Sequence, residues 1–160
     1  MVSSADTATE VAPLDVVQRF WIALQTGDPA GAVALLDEDV VWRNTGLPTL
    51  RGRRVGAVLQ GLDARGVAVE VTMRHIAAAG DVVLTDRVDT IRAGAVAVGF
   101  PVQGTFVVRR GRIVRWEDHF TWGSVGLATV GALGSALAGL VGGTSTSGLS
   151  GAARRLRLGR

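Results

Sequence analysis

Three short stretches hold the residues able to do chemistry. "VLTDRVDTI" (residues 83–91) places Arg87 two positions before Asp89, "RIVRWEDHFTW" carries Asp118 between Trp116 and Phe120, and "VVWRN" ends in Trp42 and Asn44. Side chains two apart on a β-strand share a face, so Val83, Thr85, Arg87, Asp89 and Ile91 form one row and Asp86 points away. The same parity puts Val114, Trp116, Asp118, Phe120 and Trp122 in a row, with Glu117 and His119 opposite. A lone carboxylate in that apolar row would cost several kcal/mol unless paired or protonated, and Arg87 is an available partner. Two carboxyl groups that share one cation in apolar surroundings can have their pKa values driven apart, which suits one to give a proton and the other to take one. Val40, Trp42 and Asn44 share a face as well, adding an indole N–H and an amide to the same wall.

The elements that must hold these residues can be read from periodicity. "PLDVVQRFWIALQTGD" spaces Leu14, Val17, Trp21 and Leu24 as an amphipathic helix, opened by Pro13 and followed by Gly27. "DPAGAVALLDED" predicts a second helix with Asp28 as N-cap and Pro29 in its first turn, leading into a short strand at "VVWRN". "RGRRVGAVLQGLDARG" predicts a third helix. Four β-type runs follow, separated by glycine-bearing turns: "VAVEVTMRHIA", "DVVLTDRVDTIRAG", "AVAVGFPVQGTFVVRRG" and "RIVRWEDHFTW". Helices followed by strands predict an α+β domain, with the N-terminal helices on one face of a curved, mainly antiparallel sheet. By parity His75 follows Met73 toward the cavity side and His119 lies opposite Asp118, but both read as structural histidines and neither enters the mechanism.

Composition narrows the function classes. All seventeen basic residues are arginine and the net charge is only +3. Four of those arginines sit in the terminal "RRLRLGR", so the body is near neutral and carries no basic stripe, which argues against nucleic-acid binding. No cysteine is present, hence no disulfide, thiolate ligand or thiol nucleophile. No metal-ligand spacing, nucleophile elbow or phosphate loop is found, so neither metal nor cofactor is expected. Residues 1–12 read as a disordered leader without secretion-signal character, 13–142 as one domain, and 143–160 as a flexible Gly/Ser/Arg tail. A cytoplasmic protein is expected. Within the domain, the uncharged segment 126–143 reads as an apolar C-terminal helix covering the cavity mouth or meeting another subunit; a membrane span is the disfavoured alternative.

"WRN", "RVD" and "RWEDHF" resemble, in order and separation, the limonene-1,2-epoxide hydrolase family, part of the superfamily of cone-shaped α+β domains that includes nuclear transport factor 2 and ketosteroid isomerase. The likeness spans roughly residues 14–122. It implies a cone-shaped cavity and direct addition of water to an apolar epoxide to give a vicinal diol. It also implies Asp118 as base, Asp89 as acid, Arg87 as their bridge and Asn44 as the water's amide partner. Trp42 stands where the family has tyrosine. Trp116, Phe120 and Trp122 are expected in the substrate pocket, and a homodimer is expected. Two alternatives stay open: a ketosteroid-isomerase-like or polyketide-cyclase-like enzyme of the same superfamily, and a non-catalytic module that binds an apolar ligand. The first is weakened by the absence of tyrosine.

Overall fold

The structure, a computed structural model, describes residues 11–121 and 123. Helix α1 spans Pro13–Gln25, where proline removes one N–H that would have no intrahelical partner. Its buried stripe is Val16, Val17, Phe20 and Trp21; Leu14 and Leu24 flank it half-buried. Helix α2 is a short turn-and-a-half, Pro29–Ala34, capped by Asp28, whose carboxylate accepts the Gly31 N–H at 2.8 Å. The expected second helix ran on to Asp39 and is therefore too long. Leu35 ends it because its carbonyl accepts the Ile113 N–H at 2.9 Å, and Leu36 is drawn into the sheet opposite Ile113.

Strand β1 covers Leu36–Asn44, followed by the two-residue β2 (Leu50–Arg51) and helix α3 (Arg53–Ala64). The long strands are β3 (Val67–Ala79), β4 (Val82–Ala93), β5 (Val96–Arg109) and β6 (Arg112–His119). They form one curved sheet in the order β2-β1-β6-β5-β4-β3, antiparallel at every junction except β1 with β6. Helix α1 packs across β3 to β6 and α3 against β1 to β3, so the helices cover one face. The core between them is led by Phe20, Trp21, Phe106, Trp116 and a set of buried valines. Among the described residues no helix is long and apolar enough to cross a membrane. The expected C-terminal apolar helix lies outside the described residues.

Three register shifts break the simple alternation read from the sequence, one between Leu36 and Val41 on β1 and two that move candidate residues. On β6, Val107 pairs with Arg115 but Val108 pairs with Ile113, so Val114 is an extra residue. Ile113, not Val114, thereby joins Trp116 and Asp118 on the buried side. On β3, Met73 pairs with Arg87 but His75 pairs with Asp86, leaving Arg74 as the extra residue. That turns Ile76 inward in place of His75. The expectation that His75 approaches the cavity is thus overturned: its side chain is 83 % exposed and meets Asp86 at 3.2 Å on the outer face.

Candidate active site

The register of four strands assembles the site. Asn44, Asp118, Gly104 and Thr85 stand side by side across β1, β6, β5 and β4, each paired with the next. Arg87 and Asp89 follow Thr85 along β4 on the same face. The backbone carbonyl of Asp118 is fixed by Thr45, just past the end of β1, accepting from its N–H at 3.1 Å and its hydroxyl at 3.3 Å.

Arg87 has no solvent exposure, and its guanidinium is the hub. Nε donates to Asp89 Oδ1 at 2.8 Å and Nη2 to Asp89 Oδ2 at 3.0 Å, a two-pronged pairing. Nη2 also donates to Asp118 Oδ1 at 2.7 Å, and Nη1 donates to Thr85 Oγ1 at 2.9 Å. From the helix layer, the Trp21 ring lies 4.4 Å from the guanidinium carbon, a cation–π contact on its flat face.

Reaching Asp118 from Arg87 requires crossing β5. Next-but-one strands lie about 10 Å apart, and the side chain opposite Asp118 on the intervening strand would fill the path. That residue is Gly104. A Cβ there would collide with Arg87 Nη1 and Thr85 Oγ1 and approach Phe106 to 3.0 Å. Gly104, Thr85 and Trp21 frame Arg87 and were not selected by the motif reading. A glycine inside the otherwise regular strand "FPVQGTFVV" was the available signal, since strand glycines often mark a close approach of other groups.

Burial dominates the electrostatics. Asp89, 8 % exposed, has its pKa pushed up to about 6 by desolvation, against the pull of the Arg87 charge and hydrogen bonds; the Asp118 charge raises it further. Asp118, 5 % exposed, is also raised by desolvation, opposed by Arg87 and then by the indoles of Trp116 and Trp42. Desolvation works against the Arg87 charge, but attraction to Asp118 and Asp89 wins and holds its pKa above the ordinary value. One guanidinium cannot neutralise two carboxylates, so the trio as built favours holding one proton.

Above the trio opens a cavity of about 100 Å³. Asp89, Asp118 and Asn44 supply its polar spots; Trp42, Trp116, Phe120, Phe100 and leucines from α1 and α3 supply the apolar wall. Trp42 and Trp116 stack at 4.2 Å between ring centres, tilted by 13°. The structure therefore brings together Arg87, Asp89, Asp118, Asn44, Trp42, Trp116 and Phe120. Trp122, expected on the same wall, lies outside the described residues. Arg43 and Glu117 pair on the opposite face, and His119 is exposed there.

A buried Asp-Arg-Asp set under an apolar cavity can hold and pass on a proton, and comparison with known proteins gives the chain a family. Residues 11–127 match the model of the limonene-1,2-epoxide hydrolase catalytic domain. The chain is 37 % identical over 119 residues to epoxide hydrolase EphG of Mycobacterium tuberculosis, covering 74 % of this chain and 79 % of that protein. It superposes on the structure of an M. tuberculosis LEH-like epoxide hydrolase with a TM-score of 0.68 and 34 % identity, covering 82 % of this chain and 96 % of the other. A Pseudomonas putida putative polyketide cyclase shares the fold at a TM-score of 0.60 and 18 % identity, over 72 % of this chain and 96 % of its own. With the family match covering all the described residues and 37 % identity held over 119 residues, this chain belongs to the limonene-1,2-epoxide hydrolase family.

Proposed function

We propose that the protein hydrolyses an apolar epoxide to a vicinal diol by direct attack of water. The observation that carries this reading is the single buried guanidinium bonded to two carboxylates at the floor of an apolar cavity. Asp118, whose Oδ1 is taken by Arg87, uses Oδ2 to accept a proton from water oriented by Asn44. The water oxygen bonds to one epoxide carbon as that carbon's bond to oxygen breaks, and Asp89 gives its proton to the departing oxygen. Ring strain makes a covalent enzyme intermediate unnecessary. The proton gained by Asp118 then returns to Asp89 across the site that Arg87 spans, restoring the singly protonated trio. An apolar wall and two carboxyl groups suit a hydrophobic substrate whose sole essential polar group is the epoxide. An isomerase moving a proton on carbon with one aspartate has no need of the second carboxylate, and both are present.

The test is turnover of a panel of terpene, fatty-chain and small cyclic epoxides with detection of the diol. A single turnover in oxygen-18 water should label the diol at once and leave the protein unlabelled. Label on Asp89 or Asp118 would show an ester route instead, and no diol from any epoxide would refute the hydrolase reading.

A further inference from the structure

A guanidinium donates hydrogen bonds only from its edge, so its flat faces must be covered by something other than an acceptor. The edge of Arg87 is held by four hydrogen bonds, to Thr85, Asp89 and Asp118. One face carries the Trp21 ring at 4.4 Å, and no part of Arg87 reaches solvent. Trp21, Asp89 and Asp118 line the cavity, whereas Arg87 does not. The ring and the two carboxyl groups therefore stand between the cation and a substrate. Trp21 is itself held by three rings, Phe20 at 5.2 Å, Trp116 at 5.6 Å and Phe106 at 5.9 Å between centres, all meeting it edge to face. Its nitrogen is buried with no hydrogen-bond partner among the described residues, so the ring face is what this side chain offers. One turn further along α1, Gln25 ties that stretch of helix to the sheet. Its Nε2 donates to the Trp21 carbonyl at 3.4 Å, and its Oε1 accepts the Val71 N–H at 3.1 Å. Val71 is the strand partner of Asp89, so the helix turn that carries the ring is fastened beside the carboxylate that Arg87 grips.

We propose that Trp21 is a positioning residue for Arg87: its indole attracts and closes the face of the guanidinium that would otherwise open on the cavity, so that the cation acts on the epoxide only through Asp89 and Asp118. This deepens the epoxide-hydrolase reading and rests on it for the kinetic arm of the test. Without the ring, the cation is free to turn toward the cavity and present an N–H to the epoxide oxygen. A guanidinium does not give up its proton, so an oxygen held by Arg87 would be kept from the one acid able to protonate it. The same turn would break the bonds of 2.7–3.0 Å that join the two carboxylates. An aromatic face suits this place better than the alternatives. A carboxylate would add a third negative charge to the buried trio, and an aliphatic chain would fill the space without attracting the cation. Indole has the strongest such face of the natural side chains, and burial away from water strengthens the attraction.

The experiment follows the Arg87 guanidinium by NMR in the full chain labelled with carbon-13 and nitrogen-15 arginine, the Arg87 signals being assigned by Arg87→Lys. Rotation about the Cζ–N bonds and exchange of the Nη protons with water report how firmly the group is held. Wild type is compared with Trp21→Leu, with Trp21→Phe, and with a protein carrying tetrafluorotryptophan at position 21, which drains the ring face of electron density at nearly constant shape. Rotation and exchange should quicken by about tenfold or more in the leucine and tetrafluoro proteins, as for loss of a desolvated cation–π contact. The kcat for diol formation should fall by about tenfold in both with KM little changed, and Trp21→Phe, which keeps a ring face, should recover most of either loss. If leucine disturbs folding, the tetrafluoro protein decides alone. Rotation and kcat within about twofold of wild type in the tetrafluoro protein would make Trp21 a space-filling residue and overturn the proposal. A loosened Arg87 in a tetrafluoro protein whose wild-type parent opens no epoxide would uphold the contact and refute the hydrolase reading.

Discussion

Replacing Gly104 with alanine tests whether the gap in β5 is what joins the two carboxylates. The added Cβ overlaps the space of Arg87 Nη1 and Thr85 Oγ1 and comes within 3.0 Å of the Phe106 ring, so the guanidinium must move. It has nowhere to move without loss, being unexposed and bonded to Thr85, Asp89 and Asp118. Overpacking of this kind costs about 1–3 kcal/mol, and loss of one charge-assisted bond to Asp118 adds about 1.5–3 kcal/mol. The sum, roughly 3–6 kcal/mol, is a large share of the 5–15 kcal/mol typical of a domain and corresponds to a fall in Tm of about 10–20 °C. Gly99→Ala, on the same strand, is the control. Its Cβ would meet only Thr90 Oγ1 at 3.2 Å and Val88 at 3.8 Å at an exposed position, and it should cost under about 1 kcal/mol. Thermal unfolding with diol formation measured on the same samples decides the matter. If Gly104→Ala melts within about 2 °C of wild type and opens epoxides at a similar rate, the gap is not required for the bridge.

Asp118→Asn and Asp89→Asn should each lower diol formation by at least about a hundredfold while the circular dichroism spectrum is retained; activity within a few-fold of wild type in both would end the acid–base assignment. The Asp89 pKa is raised from 3.8 to about 6, so between those values the native state binds more protons than the unfolded chain. Stability from this group is therefore fully present below about pH 4 and lost as pH rises through about 6, by about 3 kcal/mol, the reverse of an ordinary carboxylate ion pair. Urea unfolding at pH 4 and pH 7 should show that fall in wild type relative to Asp89→Asn, and an opposite sign would mean that Arg87 outweighs burial. Thr85→Val removes the acceptor of Arg87 Nη1 at nearly constant volume, and should cost about 1–3 kcal/mol in unfolding free energy with a smaller loss of activity than either Asp variant.

The parts of this site legible in the sequence are those fixed by local periodicity. Arg87 and Asp89 lie two apart within one regular strand, so their shared face and pairing follow from the backbone alone. Trp116 and Asp118 are likewise two apart, and they lie on the regular side of the β6 bulge. What could not be read depends on the partner strand. The extra residues Arg74 and Val114 are defined only by what they face across the ladder, and each reverses the parity beyond it, which is why His75 and Ile113 exchange sides with expectation. The end of α2 is of the same kind: "LLDED" reads as helix until Ile113, almost eighty residues later, pairs with it. Gly104 was hidden because a missing side chain matters only once Arg87 and Asp118 are known to lie on either side of it.

The same register explains why the site holds titratable chemistry and not a resting ion pair. Arg87 with Asp89 alone would be a neutral, bidentate pair, and a carboxylate so bonded is ordinarily charged well below neutral pH. Adding Asp118 from two strands away changes the sum, since a buried trio of one cation and two anions carries an uncompensated negative charge inside an apolar layer. A single proton cancels it, which is why desolvation lifts both carboxyl groups while Arg87 remains charged. In the proposed mechanism that proton is the one the general acid gives, and the other carboxylate, without it, is the base. Gly104 permits this third charge to join the other two. Removal of the gap should thus return Arg87 and Asp89 to a simple pair, whose Asp89 titration in Gly104→Ala falls toward the ordinary carboxylate range as activity is lost.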